Sequence, residues 1–337
     1  MSFDLAVVGA GNWGTTLAIV QAREERRVLL CTRDEAHAAA LRQARENSRA
    51  LPGIAFPEGL EVAGSYAAAG AAPLVVVAVP SEHLRPTCRA LAGAIDGSQR
   101  LVSATKGLEE GTALRVSQVI AQELPGAAPD LCALSGPNLA SEIARGKPAA
   151  SVLACARRDT ASSVATSLAT PVFRLYTSDD LIGVELGGAL KNVIALAAGI
   201  CDGLAMGING KAAIVTRGMA EMVRLGRAVG ADPLTFAGLS GYGDLFATCT
   251  SPSSRNHYVG ERLGQGAPLA DVLAGMTMVA EGVHTVRPAL ALAARHGIEL
   301  PIAEQVEQVL FEGKEPRAAL ADLLSRSARD ERTGDVV

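Results

Sequence analysis

Short apolar runs alternate with amphipathic stretches through the first half of the chain. The apolar runs are Asp4–Val8, Val28–Thr32, Glu61–Ala63, Leu74–Val79, Arg100–Ser103, Leu131–Leu134, Ser151–Cys155 and Phe173–Tyr176. Helical patterns lie between many of them, as at Asn12–Gln21 and Glu35–Glu46. This alternation predicts an α/β fold with a doubly wound, mainly parallel sheet. Beyond about Ser178 the strand pattern stops, and helices broken at Gly and Pro follow, among them Asp180–Cys201, Lys211–Val229 and Glu281–Arg295. The expected organisation is a Rossmann-type dinucleotide-binding domain over 1–178 and an all-helical substrate-binding domain over 179–330, with 331–337 a frayed tail. Ser178-Asp179-Asp180 is a natural N-cap cluster for the first long helix of the second part.

Composition narrows the class. At 337 residues the chain has room for two cores, and 49% hydrophobic with 20% charged residues is a globular balance. Its net charge of -4 argues against nucleic acid or an anionic membrane as partner, while leaving room for a local basic pocket. Six scattered cysteines without a C-x-x-C pair and five histidines without ligand spacing predict no metal site and a reducing, cytoplasmic setting. No cationic leader precedes the first strand, and the apolar stretch Gly187–Gly199, interrupted by Lys191, is expected to be too short to span a membrane.

Gly9-Ala10-Gly11-Asn12-Trp13-Gly14 follows the first strand and opens a helix. In that setting G-x-G-x-x-G reads as a dinucleotide loop. Gly9 permits the tight turn, Gly11 lets backbone approach a pyrophosphate, and Gly14 allows close packing of helix on strand. The helix N-terminus adds free N–H groups and the positive end of its dipole. The second strand ends at Thr32-Arg33, without the acidic residue that would hold a ribose 2′-hydroxyl. Arg33 suits a 2′-phosphate and favours NADP, with NAD as the alternative; an arginine capping the next turn is the competing reading. Pro80 closes Val77-Ala78-Val79 at the carboxyl edge of the fourth strand, where such sheets bind ligands, or simply ends the strand.

Chemistry concentrates farther along. Lys191 and Asn192 sit in Glu185–Gly199, where every other residue after Glu185 is small or aliphatic. A buried ammonium needs an anion or loses its proton, so Lys191 requires a functional reason. Lys106 stands just past the fifth strand, again at the ligand edge, though a loop lysine is usually solvated. After the sixth strand, Gly136 could let a ligand approach the backbone, and Asn138 reads equally as an N-cap. Asp244 and Thr248 share a helix face and suit a polyol or a capping arrangement. Ser254 is a plausible N-cap, and Arg255 with Asn256 then occupies a helix start. An arginine there opposes the macrodipole unless an anion is bound.

Taken together, Gly9–Gly14, Val77–Pro80, Ser103–Leu108, Ser135–Glu142, Gly188–Asn192, Gly238–Asp244, Ser254–Asn256 and Val279–Gly282 resemble the bacterial-type NAD(P)-dependent glycerol-3-phosphate dehydrogenases, in that family's order and across almost the whole chain. The resemblance implies reversible reduction of dihydroxyacetone phosphate to sn-glycerol 3-phosphate, supplying phospholipid synthesis. Lys191 would then be the proton donor, with Lys106, Gly136, Asn138, Asn192, Asp244 and Thr248 as substrate positioners. Ser254, Arg255 and Asn256 would hold the substrate phosphate. Asn12, Trp13, Arg33, Ala140, Val279 and Glu281 would contact the dinucleotide, which Lys106 and Arg255 also reach. Asn138 departs from the Ser or Thr common in bacterial members. The implied partner is a triose phosphate or glycerol phosphate, with a homodimer left open. Two rivals are a related dehydrogenase of hydroxy or sugar acids, which also uses a lysine on its long helix, and a non-catalytic NADP sensor.

Overall fold

The computed structural model describes residues 3–276 and 278–327. The tail expected to fray at 331–337 lies outside the described residues. Eight strands, β1 (Leu5–Val8), β2 (Val28–Cys31), β3 (Leu60–Ala63), β4 (Leu74–Val77), β5 (Arg100–Ser103), β6 (Cys132–Ser135), β7 (Ala149–Ala154) and β8 (Phe173–Ser178), form one sheet in the order β3-β2-β1-β4-β5-β6-β7-β8. Each apolar run lies at one of these strands. All neighbouring strands are parallel except β6 and β7. Strands β1, β2 and β4 are buried at every position, as strands covered by helices on both faces must be, whereas β3 alternates buried Leu60 and Val62 with exposed Glu61. β4 stops two residues before its expected end. Ala78 and Val79 then lead to Pro80, which has no N–H to give a ladder. The order reverses between β1 and β4, which opens a crevice at their carboxyl ends.

Helices α1 (Asn12–Ala22), α2 (Glu35–Ala44), α3 (Leu84–Leu91), α4 (Val116–Glu123), α5 (Ala140–Ala144) and α6 (Arg158–Leu168) accompany the sheet. The rest is helical: α7 (Leu181–Gly203), α8 (Gly207–Ala228), α9 (Asp244–Thr250), α10 (Arg255–Gly264), α11 (Leu269–Ala274), α12 (Glu281–Arg295), α13 (Pro301–Phe311) and α14 (Pro316–Leu324). The architecture is therefore an N-terminal Rossmann-like domain followed by a helical C-terminal domain. α8 starts four residues earlier than its pattern predicts, because the glycines Gly207 and Gly210 mask its first turn in the sequence.

α7 organises the C-terminal core. Asp180 caps it by accepting from the Gly183 N–H at 2.8 Å, as the Ser178–Asp180 cluster predicts. Every residue from Gly183 to Cys201 is buried. At 23 residues α7 is long and apolar enough to cross a membrane, contrary to the shorter span read from the sequence, but 89% of its most apolar window is buried inside the molecule. An all-round apolar helix is what a core helix looks like. Glu185 anchors it to the sheet domain by accepting from Ser117 N (2.6 Å), Ser117 Oγ (2.7 Å) and Arg115 Nη1 (2.5 Å).

α10 crosses α7 at a seam of four glycines. A Cβ at Gly199, Gly203, Gly260 or Gly264 would run into the backbone of the opposite helix. The bare seam lets the two backbones approach closely. It also places Asn256 of α10 against Asn192 of α7, where Asn256 Nδ2 donates to Asn192 Oδ1 at 2.8 Å.

Candidate active site

The predicted residues fall into two groups. The first lines an open groove of about 1200 Å³ at the β1/β4 crevice, walled by Gly9, Gly11, Arg33, Ser65, Pro80 and Thr87 among others. Gly9 holds φ +108°, and a Cβ there would lie 2.5 Å from the Ala78 carbonyl oxygen. Around Gly11, by contrast, a Cβ would meet nothing within 4 Å. Gly11 is also the N-cap of α1 and offers no side-chain acceptor, so no capping side chain satisfies the first N–H groups of α1. These features fit a dinucleotide pyrophosphate. Asp34, not Arg33, caps α2 by accepting from His37 N at 2.9 Å. That removes the capping role for Arg33, whose side chain is 79% exposed at the groove. Ala140 begins α5 against α1, and its carbonyl accepts from Thr16 Oγ1 at 3.2 Å.

The second group surrounds one carboxylate. Asp244, 2% exposed, accepts from Lys191 Nζ through Oδ1 at 2.8 Å and from Lys106 Nζ through Oδ2 at 2.6 Å. It begins α9 directly after the π-helical turn Leu239–Gly243, which absorbs the glycines at 241 and 243. The capping reading of Asp244 does not hold, since its carboxylate is spent on the lysines and not on backbone N–H groups. Thr248 donates its hydroxyl proton to the Asp244 carbonyl at 2.7 Å, which leaves its oxygen to accept from Lys191 Nζ at 2.7 Å. Lys106 Nζ also donates to the Gly136 carbonyl at 2.9 Å. An ammonium has three donors, and these bonds occupy two on each lysine. Each lysine therefore keeps one N–H for a ligand oxygen.

The electrostatics follow from burial. Desolvation lowers the Lys106 pKa below the usual lysine value, with Lys191 pushing the same way and Asp244 opposing. Burial pushes the Asp244 carboxyl up, yet Lys106 and Lys191 together outweigh it and hold its pKa below the usual carboxylate value. The two lysines thereby keep Asp244 ionised, and one carboxylate between two ammonium groups leaves a net positive charge that suits an anionic ligand.

Beyond Asn192 the site continues into α10 and α12. Ser254 caps α10 by accepting from His257 N at 3.2 Å, as the sequence suggests. Arg255 Nη1 donates to the Val279 carbonyl at 2.7 Å, which orients the guanidinium and, among the described residues, leaves its other donors uncommitted. Asn256 Oδ1 accepts from Gly282 N at 2.9 Å, so Asn192 and Asn256 together tie α7, α10 and the start of α12. Glu281 opens α12; burial raises its pKa, with Arg255 the foremost of the cations that oppose the rise. His257 bonds Asp202 Oδ2 through Nε2 at 2.7 Å, in keeping with a packing histidine.

Among the described residues, three buried side-chain atoms lack a hydrogen-bond partner: Trp13 Nε1, Ser135 Oγ and Asn138 Nδ2. All three belong to segments already implicated, the glycine loop and the end of β6 with the turn that follows it. Buried polar atoms are normally paired, so each of these three is open to a partner that a ligand or a water would supply. Sequence reading passed over Ser135, although a polar residue at the carboxyl end of a buried strand was the available signal. Its hydroxyl packs against α7, where a Cβ at Gly188 would come within 2.5 Å of it. Asn138 does not cap α5. Its Oδ1 instead accepts from Ser151 Oγ at 2.5 Å.

Comparison with known proteins agrees with this geometry. Family models described as the N-terminus and the C-terminus of NAD-dependent glycerol-3-phosphate dehydrogenase match residues 4–161 and 180–321. A Geobacter metallireducens protein named glycerol-3-phosphate dehydrogenase [NAD(P)+] is 48% identical over 335 residues, covering 98% of this chain and 100% of its own. The same name is carried by a Frankia casuarinae protein, 49% identical over 323 residues, covering 95% of this chain and 96% of its own. Among solved structures, the glycerol-3-phosphate dehydrogenase of Coxiella burnetii superposes with a TM-score of 0.92 at 37% identity, covering 96% of this chain and 99% of that one. A ketopantoate reductase from Ralstonia eutropha shares the fold alone, with a TM-score of 0.61 at 15% identity over 94% of this chain and 99% of its own. With both halves of the site matched by one family and near-complete coverage by its members, the chain belongs to the NAD-dependent glycerol-3-phosphate dehydrogenase family, a family of oxidoreductases.

Proposed function

We propose that this chain reversibly reduces dihydroxyacetone phosphate to sn-glycerol 3-phosphate in the cytoplasm, preferring NADPH, and so supplies glycerol 3-phosphate for phospholipid synthesis. The observation that carries the reading is the pair of lysines sharing Asp244, each with one free donor, with buried Glu281 feeling Arg255 and both lysines together. The division at residue 178/179, with cofactor on the sheet side and substrate held mainly by the helical side, belongs to the same proposal, as does a homodimer.

In this reading Arg255, Asn256 and Ser254 hold the substrate phosphate at the start of α10, where dipole and guanidinium both favour an anion. Fixing that remote phosphate orients the carbonyl carbon toward the groove and the carbonyl oxygen toward Lys191. When bound, NADPH supplies the hydride. Lys191 Nζ donates a proton to the oxygen as its charge develops, and Lys106 stabilises the same charge. In the oxidative direction Lys191 Nζ takes the hydroxyl proton. Asp244 holds both lysines in place, Thr248 fixes the Lys191 rotamer, and Asn192 and Asn256 keep the α7–α10 seam in register.

The discriminating assay follows NADPH oxidation spectrophotometrically with dihydroxyacetone phosphate, unphosphorylated dihydroxyacetone and ketopantoate. Turnover confined to the phosphorylated triose is expected, and preferential turnover of ketopantoate would overturn the substrate assignment.

The cofactor preference rests on Arg33, a cation at the groove, where the neighbouring Asp34 also lines the wall but spends its Oδ1 on capping α2. Arg33→Asp should raise the NADPH KM on the order of tenfold or more and leave the NADH KM level or lower, since a charge-assisted contact to a 2′-phosphate is exchanged for repulsion. Steady-state kinetics with both cofactors measure this. An unchanged NADPH/NADH ratio would remove Arg33 from the selection.

A further inference from the structure

The geometry points to Ser151 as a positioning residue: it sets which edge of the Asn138 carboxamide faces the cleft, making position 138 a hydrogen-bond donor to an oxygen of the phosphorylated substrate. The inference rests on the triose-phosphate reading above and adds a residue to it.

Asn138 lies in the turn between β6 and α5. Two contacts made by the residues just before it bring that turn to the lysine–aspartate cluster. The Gly136 carbonyl accepts from Lys106 Nζ at 2.9 Å, and Pro137 Cδ lies 3.8 Å from where a Cβ at Gly243 would stand, one residue before Asp244. A carboxamide is chemically two-sided, with an acceptor oxygen and a donor NH₂ of nearly the same shape. What distinguishes the two edges here is Ser151, fully buried in the middle of β7 with its neighbours paired to β8. Its hydroxyl donates to Asn138 Oδ1 at 2.5 Å, which turns Nδ2 the other way. Nδ2 is buried and without a partner among the described residues. An amide nitrogen can only donate, so the missing partner is an acceptor, and a triose phosphate presents acceptor oxygens on its phosphate, carbonyl and hydroxyl groups.

The turn is built onto this serine. Gly136 adopts φ +152°, and a Cβ there would lie 2.8 Å from Ser151 Oγ and 2.9 Å from Ser151 Cα. Only glycine lets the turn settle onto Ser151 while its own carbonyl reaches Lys106. Ser151 thus acts through Asn138 and touches no ligand itself.

A double-mutant cycle tests this, read as KM and kcat for dihydroxyacetone phosphate and as the calorimetric Kd of glycerol 3-phosphate for the cofactor-free protein. Ser151→Ala should raise KM and Kd on the order of fivefold to tenfold while kcat changes little, and in an Asn138→Ala background it should add nothing further. Asn138→Asp, which keeps the acceptor for Ser151 but replaces the outward donor by a carboxylate oxygen, should bind more weakly than Asn138→Ala. Equal effects of Ser151→Ala in both backgrounds would make Ser151 merely structural. Wild-type-like binding by Asn138→Asp would mean that the oxygen edge faces the ligand. Either result overturns the inference while the wild type still turns over triose phosphate; a wild type inactive on that substrate overturns the parent reading instead.

Discussion

Replacing Lys191 by Ala is expected to lower kcat for dihydroxyacetone phosphate reduction by roughly 10³-fold, the scale on which a positioned general acid with a charge-stabilising role contributes. The variant should fold. Lys191 lies in a helix whose neighbours are small and aliphatic, alanine is the best helix former, and Asp244 keeps its second partner, Lys106. Substrate binding should change far less than turnover, because the phosphate is assigned to Arg255 and Asn256 on another helix. Lys191→Met, which keeps the volume and removes the charge, should behave like Lys191→Ala. A parallel loss of binding and turnover would instead point to a role in holding the ground state.

Asp244→Asn should be the most damaging substitution for stability in the site. The introduced carboxamide would accept from one lysine through its single oxygen and turn its two N–H donors toward the other. Two ammonium groups would then face each other with no carboxylate in ion-pair contact, leaving Glu281 as the acidic group acting on them, in a site where Asp244 itself is 2% exposed. Breaking a buried ion pair from one side typically costs about 3–5 kcal/mol, and deprotonation of Lys106, whose pKa burial already lowers, sets a ceiling on the loss. We expect a decrease of about 3 kcal/mol in unfolding free energy by urea titration, together with roughly a 10²-fold loss in kcat/KM as Lys191 loses its orientation. The pH dependence has a definite sign. Asp244 has a folded-state pKa below its unfolded value, so its contribution is fully present above the unfolded carboxylate value of about 3.9 and is lost as pH falls through the lower folded value. Acid unfolding of Asp244→Asn should therefore show a shallower slope than wild type in that window.

Much of the fold is legible in the sequence because parallel strands buried on both faces are written as apolar runs. Each of the eight runs coincides with a strand, and the glycine loop sits where β1 turns into α1. Lys191 is legible for the opposite reason, as a charge where the surrounding residues leave it no solvent. Its partner is not. Asp244 lies 53 residues from Lys191 and 138 from Lys106, and no local periodicity links them. What brings them together is tertiary: the π-helical turn before α9 and the close approach of Ser240, whose carbonyl oxygen would lie 2.5 Å from a Cβ at Gly187. The glycine seam between α7 and α10 is visible only afterwards, since a glycine inside a helix reads as a weakness until its neighbour is known. Ser151 is hidden more completely. It opens an apolar strand run, and its role depends on a hydrogen bond to a turn 13 residues away on the antiparallel neighbour's side.

Whether Lys191 Nζ carries the proton of the reaction is read most plainly by chemical rescue of Lys191→Ala with primary amines small enough to occupy the vacated side-chain volume. Turnover of dihydroxyacetone phosphate is measured against amine concentration for a series of amines of different pKa. The expected outcome is a variant nearly inactive alone, restored in proportion to added amine, with a rate that varies systematically with amine pKa. A variant that turns over at close to the wild-type rate without amine, and is unaffected by adding it, would contradict the assignment of Lys191 as the proton donor.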